Sequence, residues 1–490
     1  MADASPVTKR ARTDAATPAP DVDAPPQLDL MAESPVDASA LKPSGAGAPQ
    51  LRLVTCPDSV STAAQGEVLF KGVVELKASL APDGFTAARD LAFVLDISGS
   101  MCDSLVELKR VVDWAVSAAG PTVRVCIIVF DDKCERLTNF VACTEQGKRA
   151  LKGVVASLQS RGGTDIKLAL REAKDALQKR AQCNPLTQVV LVSDGQDFSL
   201  KEAIRQGAAK EVTDVGAALF AVGLGAGHDA ELLNSLTVAG SGTFAYAETA
   251  DDVPMVVGSM VGGVASAVAS GARLTLDLED SPRAVNLVTE TMAFILADQT
   301  LYFPFTVSLE PASGGALVAR LSALDAGDGS PLEATAKREP TFVTVSDAGT
   351  DAGNVKDASS ADALLVDSHL NRVAAANAMR EATELAQSLQ WAEALQKLND
   401  AKVSIQNSVS ANEALCQSVV ASLEELVTKL TEQRDRADAG FYNQGTLGLG
   451  LAMVHSYMHQ RSNGLESAAS AAFSTRAERL ASAAASQHLG

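Results

Sequence analysis

From Asp90 onward the chain alternates between continuous apolar runs and stretches with helical spacing. Leu91-Ala92-Phe93-Val94-Leu95 is the first run; Val123 to Phe130, Val189-Val190-Leu191-Val192, Ala217 to Val222 and Thr243 to Tyr246 follow. Apolar runs without polar alternation predict strands covered on both faces. Helical spacing predicts helices at 105–118, 145–158, 166–181, 200–213 and 229–237, with a short edge strand from Arg136 to Val141. Ser199 with Glu202 has the form of a capping box at one helix start. Strands alternating with helices predict an α/β domain, a doubly wound, Rossmann-like sheet over residues 90–270. Its last helix is expected within Val253–Gly271, a run that approaches membrane-spanning length. There Val253, Val256, Val257, Met260, Val261, Val264 and Val268 recur at helical spacing, while Gly258, Ser259, Gly262, Gly263 and Ser266 fill the other positions, which favours a buried helix.

After Ala272 the period becomes alternating. Leu274, Leu276 and Leu278, then 294–296, 301–309, 316–324 and 341–345, predict strands separated by Pro and Gly turns. Leu51, Leu53, Val68, Phe70 and Val73 show similar alternation ahead of the α/β segment. The reading is a β-rich, sandwich-like domain split between 51–88 and 272–346, with the α/β domain inserted. Residues 347–360 read as a linker. Helical patterns at 361–388, 391–407, 411–436 and 441–461 predict an α-helical C-terminal domain over 361–462. Ala382, Leu385, Ala386, Trp391, Ala392, Ala394 and Leu395 resemble a single tetratricopeptide hairpin, and one such unit cannot form a solenoid. The apolar stripe Cys416, Val419, Val420, Leu423, Leu426, Val427 and Leu430 predicts a bundle seam. Residues 463–490, rich in Ala and Ser, are expected to form a flexible, fraying tail. Residues 1–50 hold 8 of the 18 prolines and 12 alanines and predict a disordered leader.

Charge and cysteine content narrow the function. A formal net charge of -19 disfavours nucleic acid as a partner, because a phosphate backbone would be repelled. The seven cysteines at 56, 102, 126, 134, 143, 183 and 416 contain no C-x-x-C pair, which excludes a zinc RING or ribbon. No apolar secretory signal stands in the first thirty residues, so reduced thiols and a cytoplasmic location are expected; Lys9-Arg10-Ala11-Arg12 offers nuclear import as the alternative.

Candidate chemistry gathers at three loops. Asp96-Ile97-Ser98-Gly99-Ser100 follows the first buried strand, at the carboxyl edge where doubly wound sheets place their ligands. One carboxylate and two hydroxyls at alternate positions, with Gly99 allowing a tight turn, can converge on one hard cation. Gly162-Gly163-Thr164-Asp165 precedes a helix, and Ser193-Asp194-Gly195 ends a later strand. Together D-I-S-G-S, G-G-T-D and S-D-G resemble the von Willebrand factor A (VWA) domain and its metal-ion-dependent adhesion site, over about residues 90–268. The resemblance implies that Asp96, Ser98, Ser100, Thr164 and Asp194 coordinate the metal. An all-oxygen set suits Mg²⁺ or Mn²⁺, and a protein partner's Asp or Glu would replace one bound water.

Enzyme motifs are weaker. Gly223-Leu224-Gly225-Ala226-Gly227 lacks dinucleotide spacing and reads as a tight turn; no P-loop and no G-x-S-x-G occur. His228, His369, His455, His459 and His488 lie far in sequence from the Ser98 loop, and His455 with His459, spaced for one helix face, lack a zincin glutamate. The stretch Phe441-Tyr442-Asn443-Gln444-Gly445 with 455–461 is similar to the helical tail of intracellular eukaryotic VWA proteins, some of which carry a RING or U-box ubiquitin-ligase module. The expectation is a non-enzymatic, intracellular binding protein holding a partner through a Mg²⁺-bridged acidic side chain. The alternative is a substrate adaptor or scaffold subunit in ubiquitin ligation. No membrane span is expected, and the oligomeric state is left open.

Overall fold

The computed structural model describes residues 28–36, 48–56, 59–61, 68–81, 85, 87–194, 202–225, 227–279, 286–309, 315–339, 341–343, 360–436, 444–461 and 472–489. Ser199, Gly195, the Lys9–Arg12 run and most of the expected leader and linker lie outside them. The strands β1 (Gln50–Cys56), β2 (Ser59–Ser61) and β3 (Val68–Lys77) come first. An alternating series follows: β4 (Arg89–Asp96), α1 (Leu105–Ala118), β5 (Val123–Phe130), β6 (Cys134–Arg136), β7 (Val141–Ala142), α2 (Glu145–Ser157), α3 (Ile166–Gln178), β8 (Leu186–Ser193), α4 (Glu202–Thr213), β9 (Ala218–Leu224), α5 (Ala230–Ala239), β10 (Ser241–Ala247) and α6 (Val253–Ala265). Then come β11 (Ala267–Glu279), β12 (Asn286–Leu296), β13 (Thr300–Leu309), β14 (Ala316–Asp325), β15 (Pro331–Arg338) and β16 (Thr341–Val343). The chain ends in α7 (Ala361–Gln387), α8 (Trp391–Gln406), α9 (Ala414–Arg436), α10 (Gln444–His459) and α11 (Arg476–Leu489).

The central sheet has the order β10-β9-β8-β4-β5-β6, with β7 also on β5. Its main strands are parallel, and β6 and β7 run antiparallel to β5. Strand side chains alternate between faces, so β4 sends Leu91, Phe93 and Leu95 to a core shared with α1, α2 and α6. Ala92 and Val94 enter the opposite core with α3, α4 and α5. This double covering explains why its strands read as continuous apolar runs. The expected α/β architecture is therefore borne out. The register, Asp96 beside Phe130 and Leu95 beside Val192, brings the loops after β4 and β8 out side by side at the carboxyl edge.

Helix α6 is shorter than its apolar pattern suggests. It ends at Ala265, and the chain turns at Ser266 into β11, so Val268 belongs to a strand. The edge strand expected at Arg136–Val141 is two short pieces, β6 and β7. Among the described residues no helix is long and apolar enough to cross a membrane.

In the β-rich part, β3 pairs antiparallel with β1 on one side and β13 on the other. Strand β11 lies between β12 and β14, and β14 also pairs with β15. Phe70, Val74 and Leu76 of the first sheet meet Leu274, Leu276 and Leu278 of the second in one apolar core. Gly72 is required on β3: a Cβ there would stand 2.3 Å from the Phe305 ring and 2.6 Å from the Val54 carbonyl oxygen. Strands from before and after the α/β segment thus share one sheet.

The C-terminal helices cover this assembly. Cys416, Val419, Leu423, Leu426 and Leu430 of α9 are buried with Met379 of α7 and Tyr457 of α10, in the core that also takes α3 and α5. Arg372 of α7, 1% exposed, ties three elements together. It donates to the Tyr302 carbonyl of β13 at 2.8 Å, to the Tyr457 carbonyl of α10, and to His369 Nδ1 at 3.2 Å. The His369 ring stacks on Tyr302, and Gln460 exchanges two hydrogen bonds with the Tyr302 backbone.

Two readings of the termini are corrected. Residues 476–489, expected to fray, form α11, which lies along α6. The reason is close packing of small residues: a Cβ at Gly258 would meet Ala485 at 2.8 Å, and one at Gly262 would meet Ala481 at 2.0 Å. Thr475 and Glu478 cap its start reciprocally, with the Thr475 N–H donating to Glu478 and the Glu478 N–H donating to Thr475. Residues 28–36 of the expected disordered leader dock on the central sheet domain, with Leu28 and Leu30 against its core.

Two outcomes follow. Gly262→Leu should overpack the α6–α11 contact and cost about 1–3 kcal/mol, read as a lower urea midpoint with faster proteolysis near Arg476; an unchanged midpoint would contradict the packing. Burial and the Arg372 charge push the His369 imidazole down to about 3. The unfolded chain therefore takes up a proton near pH 6.5 that the folded chain refuses, and stability falls as pH drops from about 6.5 towards 3, by up to about 1.4 kcal/mol per pH unit for one such group. His369→Gln should flatten that slope without abolishing it, because His455 is lowered in the same direction by burial. Urea titrations at pH 7 and pH 5 measure the difference.

Candidate metal centre

Asp96 is the last residue of β4 and is fully buried. The chain then leaves the sheet through Ile97, whose N–H still donates to the Phe130 carbonyl at 2.9 Å, and enters a 3-10 turn at Gly99–Cys102. Met101, buried, plugs the turn into the apolar layer below. Asp96 Oδ1 accepts the Ser98 N–H at 2.8 Å, which folds the loop back over the carboxylate. The Ser98 and Ser100 hydroxyls are 3.0 Å apart, and Ser100 Oγ donates to Asp194 Oδ1 at 2.8 Å. Four of the five expected residues are thus joined in one hydrogen-bonded chain.

The loop that carries Thr164, half-buried, is tied to the Asp96 loop through the backbone just ahead of it. Gly99 N–H donates to the Gly162 carbonyl at 3.1 Å, and Arg161 N–H to the Ile97 carbonyl at 2.6 Å. Gly162 makes this approach possible. Its φ of +69° is left-handed, and a Cβ would lie 2.3 Å from Asp132 Oδ1 and 2.9 Å from Asp131 Cβ, so only glycine fits.

Three supporting residues escaped the sequence reading. Ser193 donates to Asp96 Oδ2 at 2.6 Å, fixing the carboxylate from the neighbouring strand. Asp131, also buried, accepts from the Lys133 N–H and from Arg161 Nε, and its carbonyl receives the Asp165 N–H. It holds the Thr164 loop to the end of β5. Ser193 was visible as the first letter of S-D-G; Asp131 and Arg161 carry no spacing signal.

The electrostatics leave negative charge uncompensated. Burial raises Asp96 above the usual carboxylate range, against the Ser193 and Ser98 hydrogen bonds, and the Asp131 carboxylate adds to the rise. Burial likewise raises Asp194, and the charge of Asp96 raises it further. The two carboxylates of Asp96 and Asp194 and the hydroxyls of Ser98 and Ser100 form a hard, all-oxygen set, which fits a divalent cation that prefers oxygen ligands. Among the described residues no three His, Cys, Asp or Glu side chains gather into a metal site, here or elsewhere, so the candidate rests on two carboxylates with hydroxyls. His455 and His459 do face each other, with ring centroids 4.5 Å apart, but no third ligand joins them there. Of the Gly223–Gly227 run, Gly223 and Leu224 end β9, and the His228 ring packs so closely on Gly223 that a Cβ would meet it at 2.2 Å.

Comparison with known proteins agrees with this domain. Residues 91–196 match the sequence model of the von Willebrand factor type A domain. The chain carries a VWA domain. Over 134 residues it is 32% identical to E3 ubiquitin-protein ligase WAV3 of Arabidopsis thaliana, covering 27% of this chain and 18% of that protein. Over 137 residues it is 30% identical to Probable E3 ubiquitin-protein ligase WAVH2 of the same plant, covering 26% and 19%. The matches therefore span less than a fifth of the length of these curated relatives. Among solved structures, von Willebrand factor type A from Catenulispora acidiphila superposes with a TM-score of 0.57 at 15% identity, covering 77% of this chain and 91% of that one. The ArnB paralog VWA2 from Sulfolobus acidocaldarius gives 0.52 at 13% identity, covering 81% and 100%. At such identities the likeness concerns the fold, and its coverage extends well beyond residues 91–196.

Ser193→Ala should destabilise the chain by about 1–3 kcal/mol, because it leaves a buried carboxylate oxygen without its donor. The check is urea unfolding in EDTA, where no divalent ion can compensate. A loss too small to measure would mean that Asp96 does not depend on this bond.

Proposed function

We propose that this chain is a non-catalytic protein-binding module in which Asp96, Ser98, Ser100, Thr164 and Asp194 hold Mg²⁺, or Mn²⁺, and a partner's Asp or Glu side chain completes the coordination. The supporting observation is the hydrogen-bonded chain from Asp96 through Ser98 and Ser100 to Asp194, two carboxylates linked through the Ser98 N–H and two neutral hydroxyls. A bound ion would supply the positive charge that attracts an external carboxylate; the protein's part is to fix the oxygens and keep β4 and β8 side by side. Seven free thiols suit a reducing compartment, and cytoplasm is the proposed location. A second reading, an adaptor or scaffold in ubiquitin ligation, is favoured by the similarity to two Arabidopsis proteins named as ubiquitin ligases.

Mg²⁺ at ten times its Kd should stabilise the chain by about 1.4 kcal/mol, and Asp96→Ala with Asp194→Ala should remove that response. Equal Mg²⁺ shifts of Tm in both proteins would refute the site. The raised carboxylates set the sign of the pH dependence: protons compete with the cation, so the Mg²⁺ response should fade as pH falls through values above the usual carboxylate range. Recovery of partners from native extract with Mg²⁺ or EDTA separates the two readings. Ligase components in the EDTA-sensitive fraction support the adaptor.

A further inference from the structure

The opposite end of β4 carries a second charged centre. Asp90, fully buried, accepts from Arg124 Nε at 2.8 Å and Nη2 at 2.9 Å, from Arg180 Nη1 at 2.8 Å, and from Asn184 Nδ2 at 2.7 Å. Both guanidinium groups also lie over the Phe140 ring, at 5.4 and 5.8 Å from its centroid. Two cations against one carboxylate leave an excess positive charge, and the Arg124 side chain is only 1% exposed. A buried surplus charge demands an anion.

The docked segment of residues 28–36 supplies it. Glu33 Oε2 accepts from Arg124 Nη1 at 3.4 Å and from the Ala181 N–H at 3.0 Å. Backbone bonds flank this contact: the Leu30 carbonyl accepts from the Asn139 N–H at 2.9 Å, the Met31 carbonyl from the Asn139 side chain, and the Ser34 N–H donates to the Phe140 carbonyl at 3.1 Å. Leu28 and Leu30 pack on the core, whereas Met31 between them and Glu33 is 51% exposed. The segment turns at Asp29–Ala32, where the Ala32 N–H donates to the Asp29 carbonyl at 3.2 Å, and backbone bonds on both sides of that turn, two apolar anchors and one carboxylate seat are ingredients of peptide recognition.

We propose that the surface formed by Asn139, Phe140, Ala181 and the Arg124 guanidinium is a recognition site for an acidic segment of a partner protein that bears leucines at alternate positions, turns, and places a glutamate three residues after the second leucine, and that residues 28–36 fill it in cis. Only eleven residues, 37–47, separate Val36 from the stretch that enters β1. The attached segment therefore competes at an effective concentration of about millimolar, and a partner gains access when it leaves.

The test uses the full chain and a fluorescent peptide spanning residues 28–36. Leu28→Ala/Leu30→Ala/Glu33→Ala, which vacates the seat, should bind the peptide at least about tenfold more tightly than the wild-type chain, and a peptide with Glu33→Ala should bind that variant about tenfold more weakly. A folded variant that binds no better than wild type, or that binds both peptides alike, overturns the proposal. Should the triple variant melt early, Glu33→Ala alone in the full chain must still raise peptide affinity several-fold, and equal affinity overturns it. A wild-type dimer that becomes monomeric on Glu33→Ala would place a second copy's segment in the seat and overturn the cis assignment.

Discussion

Burying both faces of β4 is the constraint on which the rest of this molecule depends. A strand covered on both sides can place polar groups only at its ends, where loops must satisfy them. Here both ends carry a fully buried carboxylate, and the loops answer in opposite ways. Asp90 is met by two guanidinium groups and an amide, an excess of positive charge that calls in Glu33 from a distant part of the chain. Asp96 is met by the Ser193 hydroxyl and the Ser98 N–H, with Ser98 and Ser100 linking on to Asp194. That end has hydrogen bonds and no neutralising charge. One pole of the strand meets its carboxylate with surplus positive charge, and the other leaves negative charge that, on the proposed reading, a cation would balance.

The legibility of these features follows from the kind of signal each leaves. The parallel strands are plain in sequence because double burial removes polar alternation, and the D-I-S-G-S loop is plain because its oxygens are close together in the chain. Helix α11 was missed because the face it buries is alanine and serine, residues of low apolarity, and they suffice only because Gly258 and Gly262 on α6 let the two backbones approach. Its capping box, Thr475 with Glu478, was the available signal. The boundary between α6 and β11 was obscured because Val264 and Val268, four apart, satisfy a helical period equally well. The docked segment of residues 28–36 was hidden by its surroundings, since two leucines among prolines and acidic residues carry no period at all. Its partner, the surplus positive charge on Arg124 and Arg180, exists only once β4, β5 and the loop before β8 have assembled.

The helical tail is part of the same packing problem. Helix α10 lies on α5 and β10, and the His228 ring is held between Gly223 of β9 and Gly448 of α10, stacked at 5.1 Å on Tyr246. Both glycines are small where the imidazole needs room. On the far side Arg372 reaches from α7 to the backbone of β13. The tail therefore contacts the α/β domain through a fitted aromatic group and the β-rich part through a buried cation, both of which require close approach and tolerate little sliding.

These short-range arrangements matter because the chain as a whole repels acidic ligands. At a net charge of -19 the long-range field disfavours approach of a carboxylate-bearing partner, so encounter gains nothing from electrostatic steering. Attraction has to be short-ranged, and on the proposed reading each pole of β4 supplies it, through the buried Arg124 guanidinium at one and a bound ion at the other. Salt then acts in two opposed ways: it weakens the general repulsion over distances beyond a Debye length of about 8 Å, and it barely touches a contact between a buried guanidinium, or a coordinated ion, and a carboxylate seated against it. Association with an acidic partner should accordingly be selective in its lifetime and slow in its formation, with specificity decided by whether the incoming carboxylate fits the seat.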